Sequence, residues 1–201
     1  MIALKSDNCM TPEEYLRFER HSDIKHEYID GEVYAMAGTT KVHNTISLNL
    51  AILFREKLKH SNCQTFIADI KVNILNENSF FYPDIVVTCD NNNDFNAYEI
   101  QFPKIIVEVF SLSTEKLDRG KKFQYYRTIP SLQEYILVSS QEYLIECFRR
   151  TQDNLWTLQI YEDLDQIIRI ESLNIDISLS DIYATLNFES VTESQSDSKD
   201  E

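Results

Sequence analysis

The sequence predicts a mixed α/β fold of the α+β type, in which a central mixed β-sheet is flanked by helices. Two nearly uninterrupted apolar runs, residues 80–87 and 104–110, are typical of strands that are covered on both faces. Residues 40–59 place apolar side chains at helical spacing. Strand and helix patterns follow one another without a repeat or an internal linker, which favours one domain of this class.

The other elements each have a local signal. Thr11 is a predicted helix cap, Pro12 suits the first helical turn, and Glu14 completes a capping box. An Asp-Gly pair at 30–31, between two alternating runs, predicts a β-hairpin over 25–38. The further predicted elements are a strand at 63–75 bent near Ala68, an irregular strand at 80–89 interrupted at Pro83, a helix at 114–128, strands at 134–140, 142–150, 155–161 and 166–173, and a closing helix at 178–186.

The composition argues against several classes of protein. No apolar run approaches the ~20 residues of a membrane span, and the first ten residues lack the pattern of a signal peptide. We therefore expect a cytoplasmic protein that does not contact a membrane. The four cysteines show no zinc-site spacing, so we expect buried free thiols. They are Cys9, Cys63, Cys89 and Cys147.

Charge is distributed unevenly along the chain. The formal net charge of −14 argues against broad nonspecific attraction to DNA. Residues 189–201 are acidic and without periodicity, and we expect them to form a disordered tail after a single domain at 1–188. In contrast, residues 116–127 are predominantly basic.

Two carboxylates interrupt the apolar strands, Asp84 in the first run and Glu108 in the second. Buried carboxylates are costly without a cation, and adjacent strands would bring these two within reach of one ion. Mg²⁺ prefers oxygen ligands and keeps several waters, so two or three carboxylates suffice to bind it. The alternative is that Asp84 caps the kink at Pro83 and Glu108 pairs with a lysine or an arginine. The residues alone leave both interpretations open.

An ordered set of motifs extends over roughly residues 11–185. Its members are EEYL (13–16), HEYIDGEVYAMAG (26–38), ADIKV (68–72), FYPDIVV (81–87), IIVEVFSLST (105–114), DRGKKFQYY (118–126) and PSLQEYILV (130–138). In these motifs the chain resembles the restriction-endonuclease-like family of bacterial proteins in the PD-(D/E)xK nuclease superfamily. The resemblance implies a restriction-endonuclease-like fold with additional β-hairpins, and two motif carboxylates on adjacent strands that bind Mg²⁺.

The resemblance assigns roles to individual residues. Asp84 corresponds to the motif aspartate, Glu108 to the motif glutamate, and Glu27 to a third acidic ligand of the same Mg²⁺, for which Mn²⁺ can substitute. The strict motif is broken, because Phe110 stands where the motif lysine would be. Lys122 occupies the family's lysine position in the following helix, and we expect it to assist the attacking water.

Lys122 shares a helix face with two neighbours. Tyr126 lies four residues later and Asp118 four residues earlier, so all three face the same side of the predicted helix. Tyr126 is an accessory candidate, either as a hydrogen-bond donor to a phosphate or only as a packing residue. The alternative for Lys122 is a simple pair with Asp118 on a solvated face.

Three more residues are accessory candidates. Asp69 and Lys71 alternate on one predicted strand and match family positions. Lys71 could replace the missing strand lysine, although an exposed strand face explains it equally well. His43 opens the long helix and also matches the family.

The leading hypothesis is a Mg²⁺-dependent endonuclease that hydrolyses phosphodiester bonds of DNA. The first alternative is a catalytically inactive nuclease-fold protein that binds nucleic acid or a protein partner. The second is an interaction protein that keeps only the scaffold. Analogy with restriction-type enzymes predicts a homodimer. The sequence predicts neither the strand type nor a recognition sequence.

Overall fold

A computed structural model describes residues 2–4, 9–90 and 96–188, and in these ranges the chain forms two six-stranded sheets and a two-stranded ribbon. The predicted tail at 189–201 lies outside the described residues, as does part of the predicted loop at 90–99. Helices cover both faces of the second sheet. This mixed α+β architecture confirms the predicted fold class.

The strands are β1 (Ile2–Leu4), β2 (His26–Ile29), β3 (Glu32–Ala35), β4 (Gln64–Ile67), β5 (Lys71–Ile74), β6 (Ser79–Phe81), β7 (Ile85–Thr88), β8 (Glu99–Ile100), β9 (Ile105–Phe110), β10 (Glu134–Ser139), β11 (Ile145–Arg150), β12 (Trp156–Tyr161), β13 (Ile167–Ile170) and β14 (Ile175–Ser178). The α-helices are α1 (Pro12–Glu19), α2 (Lys41–Leu58), α3 (Glu115–Leu117), α4 (Phe123–Tyr126) and α5 (Leu179–Ile182). A π-helical turn, Asp118–Lys122, joins α3 to α4, and short 3₁₀ turns lie at Leu75–Glu77 and Glu171–Leu173.

The first sheet has the order β1-β3-β2-β6-β5-β8 and contains the predicted hairpin. Asp30 and Gly31 form its turn, both with positive φ. At Gly31 a Cβ atom would lie 2.8 Å from the Cβ of Cys9, so a larger residue would clash there. Helix α1 packs beside β2, and its cap at Thr11 and capping box with Glu14 are formed as predicted.

The second sheet has the order β12-β11-β10-β9-β7-β4. Its central strand β9 is buried along its whole length, as its apolar sequence predicts. β9 pairs in parallel with β10 and antiparallel with β7, so the sheet is mixed.

Alternate residues of β9 face two different cores. Val107 and Val109 pack against α2, which contributes Ile46, Leu50 and Phe54 from its buried face. The even-numbered residues of β9 point to the opposite side, where the α3–α4 segment lies. Because Glu108 is even-numbered, its carboxylate belongs to the α3–α4 side of the sheet.

Two predicted strands are each divided between the sheets. The predicted strand 63–75 is β4 in the second sheet and β5 in the first, because the backbone reverses at Ala68 with a φ of 48°. The predicted strand 80–89 is β6 in the first sheet and β7 in the second, with Pro83 at the break. Residues 63–89 therefore leave the second sheet, cross the first and return. Strands β1, β8 and β14 were not predicted.

The expectation of buried free thiols is wrong for three of the four cysteines. Cys63 and Cys89 form a disulfide. Gln64 faces Thr88 in the β4–β7 pair, so the cysteines next to them face each other as well. Cys9 is free but exposed, and only Cys147 is a buried free thiol.

In the described ranges 9–90 and 96–188, no helix combines the length and the apolar character needed to cross a bilayer.

Thiol counting tests the disulfide directly. Denatured chain kept without reductant should react with a thiol reagent at two cysteines, Cys9 and Cys147. Cys63 and Cys89 are separated by 26 residues, and a loop of this size stabilises a fold by about 3 kcal/mol. The melting temperature should therefore fall when the protein is reduced, and a Cys63→Ser, Cys89→Ser variant should no longer respond. Four reactive thiols in the untreated protein would contradict the pairing.

Candidate active site

Asp84 and Glu108 lie side by side on neighbouring strands. Ile85 faces Val107 in the antiparallel β7–β9 pair, so Asp84 and Glu108 come next in the same register. The Asp84 Oδ2 accepts a hydrogen bond of 2.7 Å from the backbone N–H of Val109. This contact fixes the Asp84 carboxylate beside the strand that carries Glu108, rather than at the Pro83 kink. The capping alternative for Asp84 is therefore wrong, whereas the other half of that alternative, a pair between Glu108 and a lysine, is present.

Glu108 is buried, and one of its carboxylate oxygens accepts two hydrogen bonds. Its Oε1 accepts hydrogen bonds from the Lys122 ammonium at 3.0 Å and from the Tyr126 hydroxyl at 2.9 Å. Lys122 and Tyr126 therefore do lie on one side of their helical segment and reach the same carboxylate.

Glu27 brings the first sheet into the cluster. It lies on β2 and is fully buried, and its Oε1 accepts from the backbone N–H of Tyr82 at 3.2 Å and lies 3.0 Å from the Lys122 Nζ. Its Oε2 is buried and has no hydrogen-bond partner among the described residues. Lys122 thus bridges a carboxylate of each sheet.

The lysine of the site comes from the helical segment and not from β9. The position on β9 where the motif lysine would stand is occupied by Phe110, which packs in the core. Phe110 lies two residues beyond Glu108, is 3% exposed, and packs in the apolar core with the Arg119 guanidinium 4.6 Å from its ring centre. Lys122 instead ends the π-helical turn opposite β9 and is 5% exposed. Isolated π turns occur frequently at functional sites.

Asp118 completes the cluster, although the sequence did not identify it as a site residue. Its side chain is buried, with Oδ1 3.5 Å from the Lys122 Nζ, and its backbone carbonyl accepts from the Tyr135 hydroxyl at 2.9 Å. The spacing of four between Asp118 and Lys122 was the available signal. The Asp118–Lys122 pair lies in a buried cluster. The alternative for Lys122, a simple pair with Asp118 on a solvated face, is therefore wrong.

Burial and mutual repulsion set the protonation of this cluster. Burial raises the pKa of Glu27, of Glu108 and of Asp118, although the Lys122 ammonium opposes the rise in each case. Burial alone would lower the pKa of Lys122, but the surrounding carboxylates outweigh it and the pKa is raised well above its ordinary value. Three buried carboxyl groups share one ammonium, which lowers the pKa of each but does not cancel the rise that burial causes.

The accessory candidates separate into two groups. Tyr126 and His43 lie at the site, and the His43 Nε2 is 3.3 Å from the Asp84 Oδ2. Lys71 is buried over the Tyr82 ring at 5.4 Å, where burial lowers its pKa and Glu19 and Glu99 partly oppose this. Asp69 is exposed and pairs with Lys25. Among the contacts of the described residues, neither Lys71 nor Asp69 forms an ion pair with the cluster around Lys122. The burial of Lys71 contradicts the exposed strand face that was the alternative for it.

The donor set can be tested for its fit to a divalent metal. Within the described parts of the chain, no three His, Cys, Asp or Glu side chains already form a set of metal ligands. Glu27 and Glu108 are both bound to Lys122 through Oε1. Asp84, Glu108 and Glu27 each keep one carboxylate oxygen that accepts no hydrogen bond from a described residue, and Asp84 and Glu108 also come next to each other in the β7–β9 register, which suits a shared Mg²⁺. Two carboxylates with water in the remaining positions suffice for this ion.

Comparisons with known proteins agree with this architecture. Residues 12–181 match the model of the Uma2 family, described as "Putative restriction endonuclease". The uncharacterized protein slr1290 of Synechocystis sp. is 38% identical over 179 residues, which cover 89% of this chain and 94% of that protein. The uncharacterized protein sll1609 of the same organism is 32% identical over 160 residues, which cover 79% of this chain and 90% of that protein.

A solved structure shares the fold. The crystal structure of "a putative nuclease belonging to DUF820" from Anabaena variabilis ATCC 29413 aligns with a TM-score of 0.72 and 16% identity, covering 87% of this chain and 97% of that one. The family match spans most of the chain and both curated relatives exceed 30% identity. On these grounds, the chain belongs to the Uma2 family.

Proposed function

We propose that this protein is a metal-dependent endonuclease that hydrolyses phosphodiester bonds of DNA. The observation that carries the proposal is the buried Lys122 ammonium, 3.0 Å from Glu108, beside the facing pair Asp84 and Glu108. Membership of the family described as "Putative restriction endonuclease" supports the same reaction class.

Asp84 and Glu108 would hold Mg²⁺, or Mn²⁺ in its place, through the oxygens that accept no hydrogen bond. When bound, the ion would supply a Lewis acid for the phosphate and lower the pKa of a water. Glu27 is the predicted third ligand. Its Oε1 contacts Lys122, as the Oε1 of Glu108 does, and its Oε2 has no hydrogen-bond partner among the described residues.

The side chains around the pair would orient the reacting groups. Tyr126 fixes the Glu108 carboxylate by donating a hydrogen bond to Oε1, while Oε2 accepts no hydrogen bond from the described residues. The positive charge of Lys122 would stabilise the negative charge that develops on the attacking water and the phosphate. Its three N–H groups lie near Glu27, Glu108 and Asp118, so a direct hydrogen bond to the water would replace one of these contacts.

The basic segment 116–127 supports DNA as the substrate. Lys116 is exposed and Lys121 is half-buried beside the site, whereas Arg119 is neutralised by Glu115 and Glu146. With a net charge of −14, contacts to DNA would be concentrated at this segment. A homodimer stays a prediction from analogy, and sedimentation of the purified chain would test it.

A second candidate is a nuclease-fold protein that binds nucleic acid or a protein partner without cleaving it. The engagement of Lys122 by several carboxylates favours it, because an ammonium held in this way can serve as a structural ion pair. Tight DNA binding in EDTA, with no turnover when metal is restored, would identify this function.

Removing the charge of either facing carboxylate should abolish cleavage. Asp84→Asn and Glu108→Gln preserve shape but weaken metal binding, so the rate of cutting supercoiled plasmid or labelled single-stranded DNA should fall at least about a hundredfold. Wild type should lose activity in EDTA and regain it with Mg²⁺ or Mn²⁺. Calorimetry should show weaker Mn²⁺ binding in both variants, and unchanged binding would show that the assigned ligands are wrong.

Two buried lysines should respond differently to the same substitution. Lys122→Met should lower kcat by about 10²–10³-fold, because it removes the donor beside Glu108. It should also cost about 3–5 kcal/mol of stability, since Glu27 and Glu108 lose their ammonium. Lys71→Met is the matched control and should keep most of the activity, because Lys71 lies apart from these carboxylates.

Thermal melts decide how the lysine comparison is interpreted. If Lys122→Met is too unstable at the assay temperature, Lys122→Arg keeps the positive charge and should still lose cleavage through its altered geometry. Loss of cleavage in Lys71→Met with retention in a folded Lys122→Met would reverse the assignment of the active-site lysine.

A further inference from the structure

His43 approaches the candidate metal site from a rigid platform. It lies in the first turn of α2, where its backbone N–H donates to the capping side chain of Thr40 at 3.2 Å. The buried face of α2 packs against β7 and β9, the two strands that flank Asp84 and carry Glu108. The position of His43 relative to Asp84 is therefore set by the core of the protein and not by a loop.

The Asp84 carboxylate has both of its protein contacts on one oxygen. Oδ2 accepts from the Val109 N–H at 2.7 Å and lies 3.3 Å from the His43 Nε2. Oδ1 accepts no hydrogen bond from the described residues. A hydrogen bond from β9 and a close polar contact from α2 therefore meet at Oδ2, whereas Oδ1 is left without a hydrogen bond from the described residues.

The imidazole contributes little to the packing around it. The Nδ1 of His43 is buried and has no hydrogen-bond partner within the part of the chain that the structure describes. A buried polar atom without a partner lowers stability, so an apolar side chain of similar size would suit the packing better. The 3.3 Å contact of Nε2 with the Asp84 carboxylate is therefore the polar interaction of the imidazole with the described residues.

We propose that His43 is a positioning residue that fixes the Asp84 carboxylate and leaves Oδ1 available to a metal ion. This inference rests on the proposed function and deepens it, because it makes α2 a supporting element of the metal site. Donors that orient a ligating carboxylate typically change metal affinity by about 10–100-fold. His43 acts through Asp84 and does not itself contact the reacting atoms.

The test compares two substitutions that differ in one donor. His43→Gln keeps a neutral N–H at nearly the same distance from the backbone, whereas His43→Leu removes it with little change in volume. His60→Leu, at an exposed histidine just beyond α2, is the control for loss of a histidine. Each protein is titrated with Mn²⁺ by calorimetry, melted without metal, and assayed for DNA cleavage over a range of DNA concentrations.

We expect His43→Leu to bind Mn²⁺ about 10–100-fold more weakly than wild type and to lower kcat, with KM for DNA nearly unchanged. His43→Gln should restore most of the Mn²⁺ affinity, and His60→Leu should match wild type in all assays. Melting temperatures without metal should agree within about 4 °C, which excludes misfolding as the cause.

The outcomes separate the failure of this inference from the failure of the proposed function. If Asp84→Asn weakens Mn²⁺ binding but His43→Leu does not, the metal site stands and the role of His43 is wrong. If His43→Gln binds as weakly as His43→Leu, a donor at Nε2 is not what matters, and the inference is again wrong. If wild type itself binds no Mn²⁺, the proposed metal site and the inference are both overturned.

Discussion

The structure depends on one buried ammonium that holds carboxylates from three different elements. Lys122 contacts Glu27 from the first sheet, Glu108 from the second sheet and Asp118 from its own helical segment. Each carboxylate alone would be costly to bury, and the lysine offsets part of that cost for all three. One ammonium does not fully offset the burial of three carboxyl groups, so the pKa of each stays raised. The same arrangement therefore joins the two sheets and keeps three perturbed carboxyl groups at one place.

The path of the chain between the sheets brings the metal-site candidates together. Residues 63–89 leave the second sheet after β4, form two strands of the first sheet, and return as β7. The return point lies at Pro83, directly before Asp84, so the carboxylate emerges where the two sheets meet. The neighbouring residue, Tyr82, donates its backbone N–H to Glu27. The interruption of the strand at Pro83 thus places Asp84, which precedes β7 of the second sheet, near Glu27 of the first sheet.

Local sequence was sufficient where the determining contacts are local. The capping box at Thr11, the hairpin at 30–31 and the buried strand around Glu108 follow from spacing and side-chain type, and all are present. The division of residues 63–75 between two sheets was not predictable from periodicity, because it depends on the positive φ at Ala68. The contact between Glu27 and Lys122 also escaped prediction, since it exists only after the sheets have packed together. The resemblance to a family identified both residues but not their direct pairing.

The use of position 110 for packing couples it energetically to position 122. Phe110 fills apolar space beneath the Arg119 guanidinium, and Lys122 already occupies the Oε1 of Glu108. A Phe110→Lys change would therefore crowd a second ammonium into this space, while loss of Lys122 alone would leave three carboxylates without one. The effect of a substitution at either position depends on the residue at the other. An evolutionary exchange between a strand lysine and a helix lysine would thus have to pass through one of two unfavourable intermediates, unless both positions changed together.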